Sequence, residues 1–401
     1  MKKELSKHQN FRYLIFGMIY LHQGFIEVFM YIYMALYLLS FGVSILYIGL
    51  SIAIGTAPWI IKPIYGILSD RKGIGKWGRR LPYMLVGSFF AAILFFMLIP
   101  VDPSTGWIVF VSIITLANFF NAFCDTATDG LIVDTTEPEK RGAAQSVCWG
   151  SKFVGYVTAA LLVGFMIEII GWGLYFIFMG FFLLMPIPLL LISQEPSYDV
   201  SEKFPMQDIK DTFKEKLVWL VLIFFIVAGI GLNIILSMLP LFFTLELNFN
   251  LSLVGIIMSV GYVSFLIGCI ISGPILDKLS RRTSITVSII FLSIIIFLVS
   301  LTLNILMAII FMVLAGLSWG IFQIAQMMLS MDLCKKSISA TIYSCYMSVI
   351  NLGGTLGTII GALLVITYGF RIAFIVAAFV ALSSLILVYF MKGTEDLFPE
   401  E

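Results

Sequence analysis

Histidine is almost missing: His8 and His22 are the only two in 401 residues. That leaves no cluster for a metal centre, and no loop between apolar runs could host a phosphate-cradling glycine loop. Charge is scarce too. Only 12% of residues are Asp, Glu, Lys or Arg, against roughly 25% in soluble domains. With 24 Lys+Arg and 23 Asp+Glu the net charge is +1, so nothing marks a nucleic-acid partner or a polybasic surface. The five cysteines, Cys124, Cys148, Cys269, Cys334 and Cys345, lack CxxC or Cys/His spacing and read as small buried apolar residues. No soluble catalytic domain, no metal and no cofactor are expected; the chain reads as a non-enzyme.

Apolar residues, by contrast, make up 60% of the chain. Uncharged apolar runs repeat from Phe11 to Met391, each long enough to cross a hydrocarbon core of about 30 Å at about 1.5 Å per residue. They predict twelve helices over 11–40, 44–68, 81–100, 107–134, 141–169, 174–193, 217–245, 251–276, 283–303, 305–331, 337–368 and 370–391. Lys2, Lys3 and Lys7 imitate a signal peptide, but the run after them continues to about Leu39, far beyond an h-region of about 7–15 residues. It is read as an uncleaved first helix. Residues 194–215 are polar, with Pro196, Pro205 and both charge signs. They separate two six-helix bundles, 1–193 and 216–401, in an all-α membrane protein.

With the N-terminus inside, 21 of the 24 Lys/Arg fall in cytoplasmic loops or tails. Arg371 alone lies outside, and Lys62 and Lys152 lie within spans. The positive-inside rule thus predicts cytoplasmic termini in a multi-pass protein of the cell membrane, and supports the span count, since one false span would invert every later loop.

A local repeat links the halves. Gly66-Ile-Leu-Ser-Asp70-Arg71, closing with Gly78-Arg79-Arg80, joins spans two and three. Gly273-Pro-Ile-Leu-Asp277-Lys278, closing with Arg281-Arg282, joins spans eight and nine. Six-span repeats suit transporters whose site lies near the bilayer midplane. The two loops resemble the signature loop of the major facilitator superfamily. That resemblance implies alternating access, with Gly66, Asp70, Arg71, Arg79, Arg80, Gly273, Asp277 and Arg281 as gating residues. An ordinary basic loop is the simpler alternative.

Three stretches narrow the resemblance: Ala57-Pro58-Trp59-Ile60-Ile61-Lys62-Pro63, Asp125-Thr-Ala-Thr-Asp129-Gly130, and Ala144-Gln145-Ser146-Val147-Cys148-Trp149-Gly150. With Trp77 to Tyr83, they look like the folate–biopterin transporter family, most densely over residues 55–155. Proton symport of folates or biopterin is what that likeness implies. The Asp70 loop also resembles sugar–cation symporters of the glycoside–pentoside–hexuronide group.

Ionisable groups inside spans cost about 2.5–3.5 kcal/mol at the helix centre, so each is a functional candidate. Glu27 lies 16 residues into the first span, with Gln23 one turn before it and His22 close by. Asn118, Asn121, Asp125 and Asp129 form one stripe on span four, while Asp134 falls roughly opposite and reads as a helix-end residue. Gln145, Trp149, Lys152 and Tyr156 form a stripe on span five. Matching depths suggest that Lys152 pairs with Asp125 and that Glu27, Asp125 and Lys152 form a midplane cluster with one surplus negative charge. A static structural pair is the competing reading. Lys62 reads as a contact for an anionic solute or for Asp129. The second half offers Gln323, Gln326, Asn233 and Asn351, while Gly353, Gly357 and Gly361 read as a packing face.

The expected function is secondary transport of a small polar or anionic solute, pteridine- or folate-like, with protons as coupling ion and a monomer in the bilayer. A cation-coupled sugar symporter is the alternative, and a non-transporting receptor or membrane-embedded enzyme a more distant one.

Overall fold

The computed structural model describes residues 3–71, 78–137, 140–195, 211–333 and 339–391. Most of the predicted linker, 196–210, lies outside them. Strand β1 (Lys3–Glu4) precedes α1 (Gln9–Val28), a π-helical turn (Phe29–Tyr33) and α2 (Met34–Ser40), which together make the first span. The second span is α3 (Ile45–Thr56), a 3-10 stretch (Ala57–Ile61) and α4 (Lys62–Arg71). Then come α5 (Leu81–Met97), α6 (Trp107–Thr135), α7 (Arg141–Leu184), α8 (Ile187–Leu191) and β2 (Ser193–Gln194). The second half holds α9 (Lys216–Leu245), α10 (Leu251–Leu276), α11 (Arg281–Val299), α12 (Ile305–Asp332), α13 (Ser339–Tyr368), α14 (Phe370–Ser383) and α15 (Leu385–Phe390).

Helix α7 has 44 residues, about 66 Å at the helical rise, twice what a bilayer core needs. Gly171 breaks it with φ 74° and ψ 171°, so it holds two spans. Among the described residues, ten helical segments are long and apolar enough to cross a membrane. One of them, Ala143–Leu191, holds both spans of α7 and α8, and α5 is a shorter apolar helix, which brings the total to twelve. The short joints are turns: Asn304 caps α12 by accepting from the Met307 amide at 3.0 Å, and Gly369 adopts φ 82°.

Contacts divide the chain into two compact units, Met1–Val43 with Ile54–Glu202, and Ser44–Ala53 with Lys203–Glu401. In the second unit the Gly353, Gly357 and Gly361 face lies on Ile226, Ile230 and Ile234 of α9. Arg371 donates to Ser300 O and Thr302 O, both at 2.8 Å, and reaches Glu246 Oε1 at 2.5 Å. Its guanidinium thereby satisfies carbonyls that the end of α11 leaves without partners.

One end of the first unit is tied by polar contacts, some from the predicted Gly78-Arg79-Arg80 stretch and some from residues that no motif marks. β1 pairs in parallel with β2, and Leu5 between β1 and α1 is fully buried. Buried Arg12 donates to Thr135 O at the C-terminus of α6 and to Leu5 O at 3.3 Å, where a cation suits the helix dipole. Asp134, beside it, accepts from Arg79 at 2.6 Å and from Arg80 at 3.1 Å. Glu195 takes the amides of Arg79 at 2.8 Å, Arg80 at 2.7 Å and Leu81, closing the N-terminus of α5. Gly78 permits this approach: its φ is 94°, and a Cβ there would stand 2.4 Å from Glu195 Cδ.

Removing the Glu195 cap (Glu195→Ala) should cost about 1–2 kcal/mol. Gly78→Ala should cost at least as much, since it adds a left-handed residue to a steric clash. Thermal unfolding of the purified protein in detergent should place both variants below wild type. An unchanged melting temperature for Gly78→Ala would mean that the Glu195 carboxylate does not hold this turn.

Candidate functional site

Two polar groups lie within the spans of the first unit. The first is built where α1 and α7 touch. A Cβ at Gly24 would stand 2.5 Å from Lys152 O and 3.0 Å from Gly155 Cα, so only glycine lets these backbones meet. One turn beyond Gly24, Glu27 Oε1 lies 2.8 Å from Lys152 Nζ. Tyr156, one turn beyond Lys152, donates its hydroxyl to Glu27 Oε2. The Lys152 ammonium also stands 5.1 Å from the Trp149 ring. Glu27 lies two residues before the π-helical turn that begins at Phe29, a feature that often accompanies functional positions in helices.

The second group joins α4 and α6. Lys62 Nζ lies 2.6 Å from Asp125 Oδ2 and 3.0 Å from Asp129 Oδ2. Tyr20 of α1 donates to Asp129 Oδ1. Lys62 opens α4 directly after the 3-10 stretch, whose Pro58 has no N–H to offer the Gly55 carbonyl three residues back. Asn118 Nδ2 donates to that carbonyl at 2.7 Å, while Asn118 Oδ1 accepts from Trp59 Nε1 at 3.2 Å. Asn118 thus ties the break in the second span to α6, beside Lys62.

The expected Lys152–Asp125 pair is therefore replaced by two others: Lys152 is held by Glu27, and Asp125 by Lys62. Depth along antiparallel helices matched Lys152 to Asp125, but a close crossing of α1 over α7 brings Glu27 nearer. Asn121 donates to Asn118 at 3.5 Å. Gln23 Oε1 and Gln326 Nε2 are buried without hydrogen-bond partners among the described residues. Gln323 is half-buried on α12, in the other unit. His22 packs its ring 4.4 Å from Phe182 rather than reaching Glu27.

Of the gating set, Arg79 and Arg80 hold Asp134, and Arg281 holds Asp332 at 2.6 Å. Gly66 and Gly273 lie in α4 and α10, and Asp277 ends α10. The side chains of Asp70 and Arg71 lie outside the described ones. Two participants escaped the sequence reading although each left a trace. Tyr20 precedes Glu27 by two turns on the same face. Asp332 ends α12 51 residues after Arg281, much as Asp134 comes 55 after Arg79.

Breaking the Glu27–Lys152 pair from one side should cost about 3–5 kcal/mol, because the other charge stays buried alone. The melting temperature should fall for Glu27→Gln and for Lys152→Met. The double variant should regain most of the loss. A double variant no more stable than the worse single would show that the two side chains are not energetically coupled.

Comparison with known proteins agrees with this architecture. The family model of the Major Facilitator Superfamily matches residues 16–358. A folate-biopterin transporter of Synechocystis sp. is 28% identical over 362 residues, 80% of this chain and 68% of its own length. The anhydromuropeptide permease of Escherichia coli K12 is 22% identical over 241 residues, 58% of this chain and 49% of that protein. A solved bacterial homologue of the human lysosomal transporter Spinster superposes with a TM-score of 0.81 at 14% identity, covering 98% of this chain and 100% of that one. That last likeness is one of fold alone. With more than half of its length matched by the family model, the chain belongs to the Major Facilitator Superfamily.

Proposed function

We propose that the protein is a proton-coupled transporter of a pteridine- or folate-like solute, working by alternating access as a monomer in the cell membrane with both termini in the cytoplasm. The observation that carries the solute class is the 28% identity to a folate-biopterin transporter over 80% of the chain. The chemistry of the first unit supports it. A folate carries a flat heteroaromatic ring, and Trp149, 39% exposed beside Lys152, supplies a ring face. Gln23 and Asn121 supply amide donors and acceptors of the kind a pterin edge pairs with. Glu27, Asp125 and Asp129 supply the carboxylates that a coupling proton needs.

A muropeptide-like solute is the second reading, favoured by the 22% identity to an anhydromuropeptide permease. The two separate in reconstituted vesicles. Radiolabelled folic acid should accumulate when an inward proton gradient is imposed, unlabelled biopterin should compete, and an anhydromuropeptide should not. Competition by the muropeptide but not by biopterin would replace the first reading with the second. Accumulation driven by a sodium gradient alone would remove the proton.

A further inference from the structure

The two polar groups are not equivalent in charge. Glu27 has one carboxylate, one ammonium from Lys152 at 2.8 Å and one phenol from Tyr156, so it is balanced. Asp125 and Asp129 are two carboxylates sharing the single ammonium of Lys62, at 2.6 and 3.0 Å. Three carboxylates stand against two ammonium groups, and the unmatched charge lies with the aspartates of α6. They are one turn apart on one helix face, and Asp125 is 2% exposed.

We infer that the Asp125–Asp129 pair, bridged by Lys62, is the group that takes up and releases the proton, and that Glu27 stays ionised against Lys152. The inference rests on the transport reading for its purpose but not for its chemistry. Like charges held close, with Asp125 buried and the Asp129 side chain 38% exposed, cannot both remain ionised at little cost, so one of two neighbouring carboxylates binds a proton readily. A proton from water on one aspartate gives a carboxylic acid, while the ammonium stays paired with the other aspartate. The set of five then passes from one surplus negative charge to none, and each ammonium keeps one ionised carboxylate: Lys62 the other aspartate, Lys152 Glu27. Glu27 has no such option. Protonating it would strand the Lys152 ammonium in a site where that side chain is 9% exposed.

Neighbouring polar and charged groups reach α6 from α1, the second span, α5 and α7. From α1, Tyr20 donates to Asp129. From the second span, Lys62 is the cation and Trp59 bonds Asn118. From α7, Lys152 acts on Asp125 through space, and Cys148 lies within electrostatic range of both aspartates. From α5 and the turn before it, Ser88 meets Cys124 on α6, and Arg79 and Arg80 are spent on Asp134 at the helix end.

The test is infrared difference spectroscopy of the full chain reconstituted in phospholipid vesicles, with pH stepped and no solute added. Wild type and Glu27→Gln should both show a carboxylic C=O band that grows as pH falls. Asp125→Asn and Asp129→Asn should each lose it, since the surviving aspartate then has Lys62 to itself. Asp129→Glu should restore it. Lys62→Gln should raise the midpoint of the band by about one pH unit or more, a tenfold gain in proton affinity. Loss of the band in Glu27→Gln, or its survival at full amplitude in both Asp→Asn variants, would overturn the assignment. Should a variant fold poorly, the Lys62→Gln midpoint decides: no upward shift refutes the shared site. Because no solute is present, failure of the pteridine reading leaves this result standing, and failure here leaves the pteridine reading standing.

Discussion

A charge inside a bilayer has almost no solvent to turn to, and that constraint orders the interior of this protein. Asp125 and Lys152 are buried within the spans, and each ammonium is surrounded by what the helices themselves carry. Lys62 and Lys152 are both satisfied in this way, the first by two aspartates and the second by one glutamate. The rest of the first unit is arranged to permit those contacts. Gly24 and Gly155 let α1 and α7 meet, and the break at Ala57–Ile61 starts a fresh helix at Lys62. Asn118 repairs the carbonyl that Pro58 leaves open.

The ends of the spans solve a different problem. There the backbone itself is short of partners, because each helix terminus exposes unpaired amides or carbonyls. Arg12 answers Thr135, Glu195 answers the start of α5, and Arg371 answers the carbonyls after α11. Two basic pairs marked the sequence as a repeat, and in both units an acid at the end of the fourth helix holds an arginine from such a pair. The repeat is therefore a repeated salt bridge as well as a repeated string of residues. In the first unit the hydrogen bonds of Glu195 and the pairing of β1 with β2 join the segments entering and leaving the six helices.

The fold was largely legible in advance. Twelve apolar runs, one-sided cations and a repeated loop follow from composition and position along the chain, because a span must be long, apolar and uncharged whatever it packs against. Even the Gly353, Gly357 and Gly361 face could be read, since a four-residue repeat of glycine leaves room for little but another backbone. The candidate residues were legible for the same reason: an acid or a lysine within a span is expensive, and the chain has few of them. Tyr20 and Asp332 were missed because neither a tyrosine nor a helix-end aspartate is unusual where it stands.

Partnership is what the string of residues could not supply. Glu27, Asp125, Asp129, Lys62 and Lys152 were all identified, yet Lys152 was assigned to Asp125 because the two lie at similar depth. Depth is a one-dimensional quantity, set by counting residues along each helix. Which helices cross closely, and how each is rotated, depends on packing among several of them at once. A glycine contact between α1 and α7 and a proline-induced break before α4 made that choice. Sequence thus specified which charges enter the membrane, since their cost is a property of each residue. Tertiary structure alone decided which charge each one meets, because an ion pair within the membrane acts across a few ångströms between helices far apart in the chain.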